Sequence, residues 1–459
     1  MRSHHTSSHG SGITSNIPND EQVSPVMSQP QKERLTLKEV VAMGVGAMVG
    51  GGIFSVLGLA MAEAGHAAPL AFALGGLIAL LTGISYAHLG LDFPSDGGSF
   101  TYLEHSFAHR NIAGIGGWLL LVGYVGTMAL YAYTFGVYGS ALLGAQGGAG
   151  TAMHHLLESL VMLAFLGVNL YGVKASGTSE LLIVTIKVLI LGLFALIGLY
   201  FVDSDHLRPL FDKGGSGVLM GAALIFVAYE GFELIPNAVN EMQEPTRNLK
   251  RGILWSVGIT TGIYVLVSLV AVGNLTAEEV RRYGEYALAE AARPFLGHAG
   301  FVLIAIAALF STASAINATL FGTARLGLVM ATEKALPKVF GFRRQQNDIP
   351  WASLLVITAA TLAFVNLADL TIISAFASAT FLLVFAAINL SAWRLRRRLQ
   401  GGSIVALIGL LLSLASLATL MAYLWGSSRE SLYWIGVIYL VVVAAELLFS
   451  ERRLLWRRA

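Results

Sequence analysis

Three ionisable residues stand where a lipid bilayer makes charge expensive. Lys187 is the only charged side chain in "LLIVTIKVLILGLF", residues 181–194. Glu230 and Glu233 lie in "GAALIFVAYEGFELIPNAVNEM", residues 221–242, with Gly231 between them and Pro236 shortly after. A charge at the centre of a membrane helix costs about 2.5–3.5 kcal/mol on insertion scales, so a task is the default explanation for each. The chemistry open to them is ion pairing and proton exchange: an amine offers three donors and a charge, and a carboxyl group accepts or gives up one proton. Nucleophilic or metal chemistry is not indicated. The apolar runs hold no cysteine, no histidine cluster and no HExxH spacing, so no catalytic residue, metal or cofactor is expected and the chain does not read as an enzyme. His4, His5 and His9 fall in a polar tail and read as part of it.

The elements that must position these residues follow from composition. Hydrophobic residues make up 55% of the 459 and charged residues 12%, with a mean hydropathy of +0.69, far more apolar than an average soluble domain. This predicts an all-α membrane protein. Apolar runs of roughly 20 residues, the length needed to cross a bilayer, recur twelve times between residues 38 and 449. They include 156–173, 217–241, 252–273 and 299–330, and the closely spaced pair 351–366 and 369–392. Residues 1–36 are Ser-rich and polar and are expected to form a disordered cytoplasmic tail. With the N-terminus inside, the inside segments collect about twenty Lys and Arg, whereas the outside ones hold Arg208, Lys213, Arg281, Arg282, Arg293 and Arg429. Both termini are therefore expected in the cytoplasm, with the chain a multi-pass protein of the cytoplasmic (inner) membrane. The lipid bilayer is its expected partner, and nothing points to nucleic acid.

Two of the runs look interrupted. The first reads "VAMGVGAMVGGGIFSVLGLA", with Gly50, Gly51 and Gly52 consecutive at its centre, where glycine lets a helix unwind and a ligand approach bare backbone. The sixth carries Glu230, Gly231, Glu233 and Pro236 within a short stretch; irregular backbone at that depth must line a cavity or be buried in protein. Breaks in the first and sixth runs occupy matching places in two five-helix halves, the signature of an inverted-repeat transporter with its site at mid-membrane. The expected division is 37–203 and 204–398 for the repeats and 399–459 for helices 11 and 12 with the cytoplasmic C-terminus. Free N–H groups near Gly51, Gly52 and Ile53 would take a carboxylate. Unwound carbonyls near Met48, Val227, Ala228 and Glu230 would face an ammonium, and Gly50 and Gly231 belong to the same substrate site. Such a site suits a zwitterionic amino acid.

"GVGAMVGGGIF" and "YEGFELIPNAVNEMQEPTRNLKRGI" resemble segments of the amino acid-polyamine-organocation permeases, and the likeness covers nearly the whole chain from about residue 35. It implies the LeuT-type fold of twelve transmembrane helices with a 5+5 inverted repeat. "IVTIKVLILGLF", "ALAEAARPFLG" and "ALFSTASAINAT" are similar to the proton-coupled, sodium-independent ApcT type. In that type a lysine amine replaces the sodium ion that bridges helices 1 and 8 elsewhere. The resemblance directs Lys187 toward the carbonyl of Gly46 and toward Ser311 and Thr312. It implies import of amino acids coupled to protons, with an amino acid or polyamine exchanger as the alternative. The ApcT pattern lacks both carboxylates, so Glu230 and Glu233 are departures: Glu233 is expected to be a buried protonatable group, and Glu230 either faces the substrate or caps the break. Tyr124, Tyr131 and Tyr133 either pack or gate, and "LTAEEVRRYGEYALAEAARPFLG" is expected to form an external lid.

Overall fold

The structure, a computed structural model, describes residues 34–95, 97–107, 109–145, 147–172, 177–344, 349–399 and 403–449. The expected tail lies outside the described residues up to position 33, as does the C-terminal "ERRLLWRR". Each apolar run is helical. The first is α1 (Leu37–Met48) and α2 (Gly52–Ala64); α3 is Ala68–Asp92. A short helix, α4 (Gly98–Ser106), precedes α5 (Arg110–Leu142), α6 (Gly147–Tyr171) and α7 (Gly177–Tyr200). The sixth run starts as α8 (Gly214–Leu224) and continues as two 3₁₀ segments, Phe226–Tyr229 and Phe232–Glu241. After α9 (Pro245–Asn274) come the two short helices α10 (Ala277–Tyr283) and α11 (Ala287–Ala291). The chain then forms α12 (Arg293–Thr332), α13 (Trp351–Leu367), α14 (Leu370–Arg394), α15 (Ser403–Ser427) and α16 (Arg429–Phe449).

Nine helices among the described residues are long and apolar enough to cross a membrane, and ten if the two parts of the sixth run, bent by 52°, count as one. A count of twelve also requires the 17-residue α13 and a division of Gly52–Asp92 at the turn Gly65–Ala67. Several helices extend past their apolar runs. The fourth begins at Gly147 rather than 156 and the seventh at Pro245 rather than 252, whereas in α12 a short helical stretch from Arg293 is joined across a kink at Gly297 (φ 62°) to the eighth helix, which starts about where expected. The first turns of the fourth and seventh helices are not apolar, so hydropathy carries no signal there, and α9 takes proline in its first turn, where its missing N–H costs nothing. Between α13 and α14 only two residues intervene, and Asp369 Oδ1 accepts the Ile372 N–H (2.8 Å), a side-chain cap that starts α14 without a loop.

The centre of the bundle is set by close pairs. α3 runs along α9, α5 along α12, and α14 packs on α3, α5 and α15. α14 is the most enclosed, with 83% of its apolar stretch buried, while α6, α15 and α16 keep most of theirs for lipid. α1 lies against α7 and α9. At its start Leu35 pairs with the far end of the sixth run, Leu35 N–H to Glu241 O (2.8 Å) and Gln243 N–H to Leu35 O (2.9 Å). The two interrupted runs are thus stitched together at one end as well as at their breaks.

Gly231 holds a φ of 123°, a region essentially reserved for glycine, and an added Cβ would lie 2.8 Å from that of Ala47. Gly231→Ala is therefore expected to destabilise the protein by on the order of 1–3 kcal/mol, read as a lower thermal midpoint in detergent. Gly258→Ala in α9, where an added Cβ meets nothing within 4 Å, is the control and is expected to leave the midpoint unchanged or slightly raised.

Candidate functional site

The two interruptions face each other. α1 stops at Met48 and α2 starts at Gly52, while the sixth run leaves α8 at Leu224, turns at Glu230 into extended backbone and reverses at Gly231. A Cβ on Gly52 would lie 2.7 Å from Ala228 Cα, and one on Gly50 would lie 2.7 Å from the Ala315 Cβ on α12. Tyr131 of α5 occupies the space a Gly51 side chain would need. The triple glycine therefore works by absence of side chains, which brings three elements onto the backbone. Its φ freedom is not what the break uses, because Gly51 sits at φ −122° and none of Gly50, Gly51 or Gly52 has a positive φ. In the sixth run the reverse holds, and Gly231 supplies a backbone conformation.

Breaking a helix strands carbonyls and N–H groups, and at this depth the protein has to satisfy them itself. The Tyr264 hydroxyl of α9 donates to Met48 O (2.6 Å) and lies 3.0 Å from Ala228 O, so one group touches both breaks. Ser311 Oγ donates to Val49 O (2.6 Å), and Lys187 Nζ, with the residue 3% exposed, donates to Gly46 O (3.3 Å). On the other run, Ser374 and Ser378 of α14 donate to Leu224 O (2.8 and 2.7 Å), and Val227 N–H donates to Ser378 Oγ (3.0 Å). The Gly231 N–H donates to Glu233 Oε2 (2.7 Å), so Glu233 caps the break. Thr312 Oγ1 turns back on its own helix to Ala308 O (2.8 Å), and its methyl packs toward Gly51.

Met48, Gly50, Gly51, Gly52, Ile53, Val227, Ala228, Glu230 and Gly231 are all buried around this junction. Gly52 and Ile53 stand in the first turn of α2, whose N–H groups have no carbonyl ahead of them in the helix. The three α5 tyrosines each meet a carboxyl group. Tyr124 OH donates to Glu233 Oε1 (3.2 Å), Tyr131 OH to Glu230 Oε2 (3.4 Å) and Tyr133 OH to Glu285 Oε1 (2.6 Å). Glu230 Oε1 is buried without a hydrogen-bond partner. Glu285 lies in the turn between α10 and α11, and the Gly284 carbonyl beside it rests on Gly58 of α2. The segment expected to be a lid thus packs over α2 and is tied to α5.

Sequence reasoning missed Tyr264, Ser374 and Ser378. The available signal was weak: a tyrosine hydroxyl inside an apolar run has to find a partner, and Ser374 and Ser378 are four apart and so share a helical face. Among the described residues no group of three or more His, Cys, Asp or Glu could hold a metal ion.

Comparison with known proteins fits this architecture. The chain is 33% identical over 422 residues to an uncharacterized protein of Methanocaldococcus jannaschii, covering 92% of this chain and 96% of the relative. It is 32% identical over 417 residues to the inner membrane transport protein YbaT of Escherichia coli, covering 90% and 95%. It is 28% identical over 353 residues to the methylthioribose transporter of Bacillus subtilis, covering 73% and 76%. The amino acid permease family matches residues 35–445, a stretch that contains both breaks, the lysine and every hydroxyl that braces them. An all-helical membrane transporter and not an enzyme, the chain belongs to the amino acid permease family.

Proposed function

We propose that the protein imports amino acids across the cytoplasmic membrane together with protons and without sodium, Lys187 standing where related transporters hold the sodium ion. The observation that carries this reading is the bond from Lys187 Nζ to Gly46 O, two residues before α1 ends. An ammonium supplies the positive charge and the donors that a monovalent cation would otherwise bring to such carbonyls. Protonated, Lys187 ties α7 to the end of α1; deprotonated, it no longer holds that carbonyl with a charge, and the bundle is biased toward another state. Ser311 and Thr312 of α12 complete this coupling set, Ser311 donating to Val49 O and Thr312 packing toward Gly51, and Glu233 is a second protonatable group at the other break.

The substrate's α-carboxylate would sit at the N–H groups of Gly51, Gly52 and Ile53, at the positive end of the α2 dipole. Its α-ammonium would face the carbonyls of Met48, Val227 and Ala228 and the carboxyl of Glu230. Met48 O and Ala228 O each have a second lone pair beyond the one Tyr264 engages. In this reading residues 37–203 and 204–398 are the two inverted repeats, both termini are cytoplasmic, and α10–α11 cover the external mouth. The excess of Lys and Arg on one set of loops supports that orientation.

Uptake into proteoliposomes is expected to be driven by an inward proton gradient and to be indifferent to sodium. Lys187→Ala is expected to abolish gradient-driven accumulation while substrate binding survives within about tenfold. Accumulation by that variant at the wild-type level would exclude the lysine from coupling. An exchanger would instead show counterflow that needs internal substrate and ignores the pH gradient.

Tyr264→Phe removes the donor shared by Met48 O and Ala228 O, and a buried acceptor left unmade costs about 1–3 kcal/mol. The expected result is a fall of roughly tenfold or more in kcat/KM for transport, with helical content by circular dichroism unchanged. Wild-type kinetics in Tyr264→Phe would show that the two breaks do not depend on their common brace.

A further inference from the structure

A small polar cavity lies beside Glu233, away from the paired breaks. Its volume is about 40 Å³, and it is bounded by Ser99 of α4, Tyr124 of α5, Asn237 of the second 3₁₀ segment and Gly322 of α12. Three observations converge there. Glu233, 1% exposed, forms part of the wall, its carboxyl already receiving the Tyr124 hydroxyl and the Gly231 N–H. Asn237, about one helical turn further along the same segment, presents a buried Oδ1 with no hydrogen-bond partner. Gly98, at a φ of 47°, lets the α4 backbone come up against that same oxygen. Leu234, Asn237 and Gly322 are partly exposed, so the cavity opens toward the face that carries α4, where the charge distribution places the cytoplasm.

A cavity holds water when it offers at least about 10–15 Å³ per molecule and two to four polar partners. This one exceeds that threshold, with a carboxyl at one end and an orphaned amide oxygen at the other. The geometry points to a water-filled proton path from Glu233 to the cytoplasm, in which Asn237 is the positioning residue for the water. The inference rests on the proton-coupled reading of transport and deepens it by naming where the proton leaves. In the step itself the O–H bond of the Glu233 carboxyl breaks and its proton joins the adjacent water. A second proton passes on from that water to the next, and no electrons change hands. The carboxylate left behind keeps its two donors, Tyr124 OH and Gly231 N–H, which hold it in charge-assisted hydrogen bonds. The other titratable groups around Glu233 are Glu230 just before its segment, Tyr124 and Tyr131 on α5 and Tyr86 on α3. α4 and α12 face the cavity with Gly97, Gly98, Ser99, Gly322 and Leu326, none of which titrates.

Two variants close the path from opposite sides. Asn237→Leu removes the oxygen, and Gly322→Val fills the space from α12, where an added Cβ meets nothing within 4 Å. In proteoliposomes, each is expected to slow net uptake driven by a pH gradient by roughly tenfold, the cost of one missing hydrogen bond along the path. Counterflow, which moves no net proton, is expected to stay within about twofold. Asn237→Ser, which restores a water partner, is expected to recover most of the net rate. If wild-type uptake follows the pH gradient and both closing variants match it, the path is overturned and the coupling reading stands. The path is equally overturned if counterflow falls by the same factor as net uptake, since the cavity would then serve substrate passage or folding. Wild-type uptake indifferent to the gradient would remove the coupling reading, and the path with it.

Discussion

Backbone groups set free at mid-membrane must be satisfied by the protein, and the arrangement of this bundle follows from how that is done. Each unmade hydrogen bond in hydrocarbon costs several kcal/mol, so a transmembrane helix cannot be interrupted without a matching set of donors and acceptors nearby. Here they come from four helices. α9 contributes Tyr264, α12 Ser311, α7 Lys187 and α14 Ser374 with Ser378, and each meets a carbonyl or N–H at or beside a break. The Tyr264 hydroxyl touches both interruptions, so displacement of either one is felt at the other.

The same geometry explains why charged residues survive in such an apolar chain. For Glu233, a charge costing about 2.5–3.5 kcal/mol at a helix centre is set against hydrogen bonds to a charged group worth about 1.5–3 kcal/mol each. Two donors, Tyr124 OH and Gly231 N–H, bring those quantities to the same size. A group so nearly balanced responds to a change in its partners. Glu230 is placed differently, with one oxygen beside Tyr131 and the other unpartnered at the junction where the substrate would sit. The two glutamates interact with each other, but their remaining partners differ, and the roles proposed for them differ accordingly.

Much of this could be read from the residues. Glu230, Gly231, Glu233 and Pro236 located the second break because none belongs in a continuous lipid-facing helix, and Gly231 at φ 123° is the conformational reason. Gly50–Gly52 located the first break, although the cause is close approach by Tyr131, Ala228 and Ala315 and not backbone freedom. Helix ends were harder, since the first turns of α6 and α9 are not apolar and hydropathy does not report on them. Tyr264, Ser374 and Ser378 were not legible: each is a lone hydroxyl in an apolar helix, and its significance depends on which distant carbonyl it meets. Asn237 is legible only as a cavity wall, because its meaning comes from α4 and α12 closing around it.

The central claim, that gain and loss of a proton at Lys187 governs the tie between α7 and the end of α1, can be observed on the amine itself. Protein labelled with ¹⁵N at the lysine side chains, in bilayers, would give a Lys187 signal identified by its disappearance in Lys187→Ala. The account predicts that this signal passes between ammonium and free amine across the pH interval in which uptake changes, whether or not sodium is present. An ammonium signal that persists unchanged throughout that interval would contradict it.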